Sequence, residues 1–227
     1  MSDSALPRFA GVIFDLDGTL IGTERLIVDT CLQTLADFGH PVSRDFLTTL
    51  VGLSEAEGFV RICAHIGVAL DAKTFNAAWS RANQAAYANG IPLMPGVAEL
   101  LARLKTAGIP VAVATNSSTA GAWRKLRLAG LADAFVHVVG YDAVPNAKPA
   151  PDVFLAAAAL LGVPPAACLA FEDSDPGVIA ALAAGMTVVH VPDMAVPTQN
   201  GAHVRAASLL DGAMAAGVFD TLAPESQ

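Results

Sequence analysis

Short, almost wholly apolar runs recur along the chain at residues 10–14, 111–114, 135–139, 168–171 and 187–191. A strand with one face in water alternates apolar and polar residues, whereas a strand covered on both faces does not. The runs therefore predict a parallel sheet with helices packed on each side. Apolar residues between them recur at helical spacing. Val97, Leu100, Leu101 and Leu104 predict one helix, stopped by Gly108 and Pro110, and the Ala-rich residues 176–184 predict another, stopped by Gly185. Alternation of strand and helix in this order predicts an α/β fold with a Rossmann-like, doubly wound parallel sheet.

One interval breaks the alternation. From Ile21 to Pro95 there is no strand-like run, only helical stripes: Ile27, Cys31, Leu35 and Phe38; Phe59, Val60, Cys63 and Ile66; Phe75, Ala78, Trp79 and Ala82. Crossover connections in compact domains are far shorter than this. The interval predicts an inserted α-helical cap subdomain at residues 22–92, bounded by Gly22 and by residues 92–96, within a core made of residues 1–21 and 93–227. Phe75, Trp79 and Tyr87 are expected to pack inside the cap.

Composition narrows the class. The 227 residues are 54% hydrophobic and only 15% charged, against roughly 25% charged in an average soluble chain, so a large buried core is expected. A formal net charge of −8 excludes the basic footprint that nucleic acid requires, and argues equally against an anionic membrane surface. Mean hydropathy is +0.52, and residues 153–171 carry no charge over a length that could span a bilayer. Gly162, Pro164 and Pro165 divide that stretch into a short helix and a short strand, so no membrane span is expected. The first residues, with an early acid and no apolar core, do not read as a secretory signal. Cys31, Cys63 and Cys168 form no CxxC pair and fit reduced thiols in a cytoplasmic protein. The five histidines lack ligand spacing. Asn116-Ser117-Ser118 matches a glycosylation acceptor, a match without meaning where no secretory signal is expected. A monomer or weak dimer is expected.

Chemistry is sought where open parallel sheets bind ligands, beyond the carboxyl ends of the strands. The first run is followed by Asp15, Asp17, Gly18 and Thr19; the second by Thr115, Asn116, Ser117 and Ser118; the fourth by Glu172, Asp173 and Ser174. Lys148 lies in a loop after the third. Singly these are turn, capping and surface residues. Gathered on one rim, four carboxylates repel one another and call for a hard cation such as Mg2+.

The residues carrying this chemistry resemble the four ordered motifs of the haloacid dehalogenase superfamily. They are Phe14-Asp15-Leu16-Asp17-Gly18-Thr19-Leu20, residues 114–117, Lys148-Pro149 with Asp152 and Phe154, and Phe171-Glu172-Asp173-Ser174 followed by Gly177 and Gly185. The likeness is greatest to the branch with a helical cap after the first motif, which holds β-phosphoglucomutase-like enzymes and sugar-phosphate phosphatases. It implies that Asp15 is the nucleophile, ionised at neutral pH and needing no activating base. Mg2+ would be held by Asp15, the Asp17 carbonyl and Asp173, with Glu172 acting through water. Thr115, the backbone of Asn116 and Ser117, and Lys148 would bind the phosphoryl group. Asp17 would be general acid and base, a role expected to need a raised pKa. Gly18 and Thr19 are expected to shape the turn.

Family members that cleave carbon–halogen or carbon–phosphorus bonds lack the second aspartate, so Asp17 favours phosphate esters. Related mutases place an arginine just after a Gly-x-Ser element in the cap, whereas here Gly52-Leu53-Ser54 precedes Glu55. An acid there would repel a second phosphate, though Arg61, Lys73 or Arg81 could compensate. Gly52 is retained as a candidate substrate contact. Gly22 also departs from the family, which commonly carries Asp at the cap hinge. The expectation is a Mg2+-dependent phosphatase of a small phosphorylated metabolite, with a phosphomutase and a non-catalytic phosphometabolite-binding protein as alternatives.

Overall fold

The computed structural model describes residues 9–51, 55–194, 198 and 201–220. Strands β1 (Gly11–Phe14), β2 (Val111–Ala114), β3 (His137–Val139), β4 (Cys168–Glu172), β5 (Thr187–His190) and β6 (Val204–Arg205) form one sheet in the order β3-β2-β1-β4-β5-β6. All neighbours are parallel. Chain order reverses about β1, which puts a topological switch point beside the strand that ends at Asp15.

Helices cover both faces, as fully apolar strands demand. Val12 and Phe14 of β1 point into a cluster with Leu100, Leu104 and Leu126, while Ile13 points into another with Phe154, Ala157 and Ala181. Phe14 stacks on Phe171 at 5.1 Å between ring centroids, tying β1 to β4. The third apolar run yields strand only from His137. Phe135 follows a single 3-10 turn at Ala132–Ala134 but stays buried, edge-on to Phe14 at 6.2 Å. β6 has no counterpart among the apolar runs, being two residues long at the sheet edge. The uncharged residues 153–171 divide as their breakers require: a helix ends at Leu161, Gly162 adopts φ +68°, and β4 follows. No helix among the described residues is long and apolar enough to cross a membrane.

Among the described residues, four helices occupy the insertion that follows β1: α1 (Thr23–Asp37), α2 (Arg44–Thr48), α3 (Glu55–Ile66) and α4 (Ala72–Ala88). The short α2 carries no stripe long enough to read; Ser43 caps it by accepting from the Phe46 N–H. The inserted helices bury their own cluster of Val28, Cys31, Leu35, Leu47, Ile62 and Phe75. Phe75 lies at its centre, within 6 Å of the rings of Phe38, Phe59 and Trp79. Burial pushes the Cys31 thiol up to about 12 and that of Cys168 to about 11, so both behave as small apolar groups.

The chain enters and leaves this insertion side by side. Gly22 N–H donates to Pro92 O at 2.9 Å and Met94 N–H to Leu20 O at 3.0 Å, with Ile21 and Leu93 forming an antiparallel bridge. A Cβ on Gly22 would make only ordinary contacts, 3.5 Å from Pro92, so the hinge does not require glycine there.

Phe75→Ala should remove about 3–5 kcal/mol from the packing of the inserted helices. Urea unfolding followed by the fluorescence of neighbouring Trp79 checks this, and a loss under about 1 kcal/mol would contradict a tightly packed independent cluster.

Candidate active site

The remaining helices of the core bring the strand-end residues together. They are α5 (Val97–Thr106), α6 (Thr119–Leu128), α7 (Asp152–Leu161), α8 (Asp175–Ala183) and α9 (Leu209–Ala215). Ser118 caps α6 through the Gly121 N–H, and Ser174 caps α8 through the Gly177 N–H. These two serines thus serve the helices that begin at the rim.

Asp15, Glu172 and Asp173 converge at the ends of β1 and β4, each offering an oxygen within 4.8 Å of the others, and all three are buried. Lys148 reaches into the cluster. Its Nζ donates to Asp15 Oδ1 and Glu172 Oε1 at 2.5 Å each and to Ala114 O at 2.8 Å, and it lies 4.9 Å from the centre of the Phe154 ring. The Asn116 amide holds the lysine loop, accepting from Lys148 N–H at 2.9 Å and donating to Lys148 O at 3.2 Å. The Asn116 side chain therefore anchors a neighbouring loop. Thr115 Oγ1 accepts from the Ser117 N–H at 3.0 Å, so that N–H, a candidate phosphate donor, is engaged locally.

Glycines admit the close approaches. Gly18 has φ +86°, and a Cβ there would stand 2.3 Å from Asp173 Oδ2. A Cβ on Gly177 would fall 1.9 Å from the Glu172 carboxyl, which instead accepts at Oε2 from Asp173 N–H and from Ser174 N–H and Oγ. Thr19 donates to Asp173 Oδ1 at 3.2 Å. His190, the last residue of β5, places Nε2 2.9 Å from the Asp173 carbonyl, a contact not singled out from the sequence.

Asp17 stands apart in its own set of donors. Thr23 Oγ1 donates to Oδ1 at 2.6 Å, Ser117 Oγ to Oδ2 at 2.8 Å, and Lys125 Nζ to both at 2.7 Å. Lys125 was not among the strand-end candidates because it lies within α6. The signal for it is positional: it comes three residues after buried Ala122 and one before buried Leu126, on the inward side of the helix. Gly52 lies outside the described residues.

Electrostatics reverse the simple expectation for the two aspartates. Burial lifts Asp15 to about 8; Lys148 opposes this, and Glu172 and Asp17 reinforce it. Burial also pushes Asp17 up, but Lys125, Thr23 and Ser117 outweigh it and hold its carboxyl below the usual value. Asp173 is driven well up by burial and by the charges of Asp15 and Glu172. Lys148 is raised, since Asp15 and Glu172 overcome its own desolvation. Three carboxylates sharing one ammonium form an oxygen-rich, under-neutralised pocket, and that donor set fits Mg2+.

A buried acidic cluster at a switch point, a second aspartate two residues on in its own set of donors, and helices inserted after the first strand are the features to compare with known proteins. Residues 12–191 match the model of the haloacid dehalogenase-like hydrolases, and the chain belongs to that family. It is an enzyme of the phosphoric monoester hydrolase class. The chain is 36% identical over 195 residues, 86% of its length, to the bifunctional riboflavin kinase/FMN phosphatase of Arabidopsis thaliana, spanning about half (51%) of that longer protein. It is 34% identical to the fructose-1-phosphate phosphatase YqaB of Escherichia coli K12, over 81% of this chain and 97% of that one. It is also 34% identical to the β-phosphoglucomutase of Bacillus subtilis, over 79% and 82%. A family hydrolase from Deinococcus radiodurans, solved with bound phosphate and sodium, superposes with a TM-score of 0.78 at 29% identity, over 93% of this chain and 97% of that one.

Without a divalent cation, the raised Asp15 pKa lets the folded protein keep a proton that the unfolded chain releases above pH 3.8, so this contribution to stability is lost as pH climbs toward about 8. Magnesium should hold Asp15 ionised and cancel the loss. Thermal midpoints in EDTA and in saturating magnesium should therefore diverge as pH rises across that window; midpoints that converge, or never separate, would contradict a cation among these carboxylates.

Proposed function

We propose that this protein is a Mg2+-dependent phosphatase of a small phosphorylated metabolite, a sugar or polyol phosphate, acting through an aspartyl-phosphate on Asp15. The observation that carries the reading is the separation of two carboxylates two residues apart. Asp15 sits in the shared acidic cluster with Lys148, and Asp17 in a separate set of donors.

Asp15, the Asp17 backbone carbonyl and Asp173 would hold Mg2+, with Glu172 behind Lys148; the ion supplies positive charge that offsets repulsion between the nucleophile and a phosphate dianion. Asp15 attacks phosphorus in line, and the ester oxygen departs with the sugar. Lys148 and Thr115, with the backbone N–H of residue 116 and that of residue 117 once it exchanges its bond to Thr115 Oγ1 for the phosphoryl group, stabilise the charge on the transferring phosphoryl oxygens. Asp17 gives a proton to the departing alkoxide and takes one from the water that hydrolyses the aspartyl-phosphate, so both half-reactions together leave it unchanged. The donors around Asp17 favour its ionised form, from which the second half-reaction starts.

Residues 22–92 serve as the cap, which closes over the substrate and excludes bulk water, and residues 1–21 and 93–227 as the catalytic core. Hydrolysis is preferred to mutase chemistry because the sequence carries Glu55 after Gly52-Leu53-Ser54, where related mutases carry an arginine. Of the cap cations that could compensate, Arg61 pairs with Glu57 at 2.9 Å, and Lys73 and Arg81 are exposed on α4. The substrate is an anion, so the acidic protein must create a local positive pocket, and Lys148 with the cation supplies it.

Phosphate release from a panel of sugar and polyol phosphates should require magnesium and stop in EDTA. Asp15→Asn should lower kcat by at least about a thousandfold, as loss of a nucleophile does elsewhere. Turnover persisting in either case would overturn the mechanism. Isomer interconversion outpacing phosphate release would establish the mutase instead, and tight binding without turnover the non-catalytic alternative.

A further inference from the structure

Lys125 contributes a cation that the mechanism above leaves without a task. Its Nζ spans both oxygens of Asp17 and also donates to Ser117 Oγ at 3.0 Å. The pair is mostly sheltered, with side-chain exposures of 19% for Lys125 and 25% for Asp17, unlike the solvent-screened pairs that contribute little elsewhere on a surface.

The donors around Asp17 come from two parts of the molecule. Thr23 is the first residue of α1 and travels with the inserted helices, whereas Ser117 and Lys125 belong to the core. Asp17 itself is in the segment that leads to the hinge and is bridged to Ile21. Any movement of the cap about the Gly22 and Pro92 contact shifts Thr23 relative to the sheet. The lysine contact has an anchor of its own, because Ala122 and Leu126 hold α6 in the main core.

We propose that Lys125 is a positioning residue, anchoring the Asp17 carboxylate to the core so that its orientation toward the reacting ester is the same wherever the cap stands. The inference rests on the reading of Asp17 as the group that exchanges a proton with the leaving oxygen and with water. An alkoxide needs that proton to depart, while p-nitrophenolate leaves without it. Misplacing Asp17 should therefore penalise alkyl phosphates selectively.

The test is rapid-quench measurement of leaving-group release in the first turnover, with magnesium, for a polyol phosphate and for p-nitrophenyl phosphate. Lys125→Met should slow release of the polyol by about 30- to 100-fold, the penalty of an ångström-scale misplacement. The same variant should change the nitrophenolate burst by less than about threefold, since that step needs no proton. Lys125→Arg, which keeps a cation at the same reach, should recover most of the polyol rate, and Asp17→Asn should show the same selectivity as Lys125→Met. Equal slowing of both substrates, with a lowered thermal midpoint and no rescue by arginine, would mean a structural ion pair and overturn the proposal. If Asp17→Asn is selective and Lys125→Met is indifferent, the proposal alone fails. If Asp17→Asn shows no selectivity, the role given to Asp17 fails and the proposal falls with it.

Discussion

A buried ammonium shared between carboxylates is the contact on which the site depends. Lys148 directs hydrogen bonds to Asp15, Glu172 and the Ala114 carbonyl, from a loop that Asn116 clasps at both backbone polar groups. Taking charges out of water is costly, and an ion pair offsets that cost only with good geometry and all its hydrogen bonds made. Here the geometry is supplied by three strands at once: β1 brings Asp15, β2 brings Ala114, and β4 brings Glu172. The order of the sheet is thus tied directly to the chemistry, since any other neighbour for β1 would separate the lysine from one of its partners.

One positive charge cannot balance three buried acids, and a further cation among them, as the proposed reaction requires, would redress the imbalance. Seen this way the net acidity of the chain is no obstacle to an anionic substrate, because the field that matters is local. The two aspartates of the first motif divide the electrostatic work. Asp15 is left short of positive charge and Asp17 is given more than it needs. Two side chains two residues apart in sequence thereby occupy opposite regimes, because Asp15 meets Lys148 and Glu172 while Asp17 meets Lys125, Thr23 and Ser117.

Much of this was legible in the chain. The two-sided apolar runs define the sheet because parallel strands leave no face for polar residues, and the missing strand signal after Ile21 exposes the insertion. The strand-end acids are visible because the fold puts all such ends on one rim. What escaped has a physical reason in each case. β6 is too short to carry a pattern, and Phe135 shows that an apolar residue can be buried beside a strand without belonging to it. Lys125 reaches the site from within a helix and His190 from the last residue of β5, where position in the fold, not proximity to a motif, sets their role. The expected elevation of Asp17 failed for the same reason, since the cation that reverses it comes from 108 residues away.

The paired crossing between core and cap also orders events in time. β1 is made first, but its hydrogen-bonding partners, β2 and β4, emerge only after every inserted helix has been synthesised. The insertion has its own apolar cluster, closed chiefly by α1 packing on α4, so it can form without the strands that follow it. A nascent chain can therefore assemble the inserted helices while the strand that ends at Asp15 still waits for the sheet, and closing the core then requires only that the two ends of a finished element be brought together.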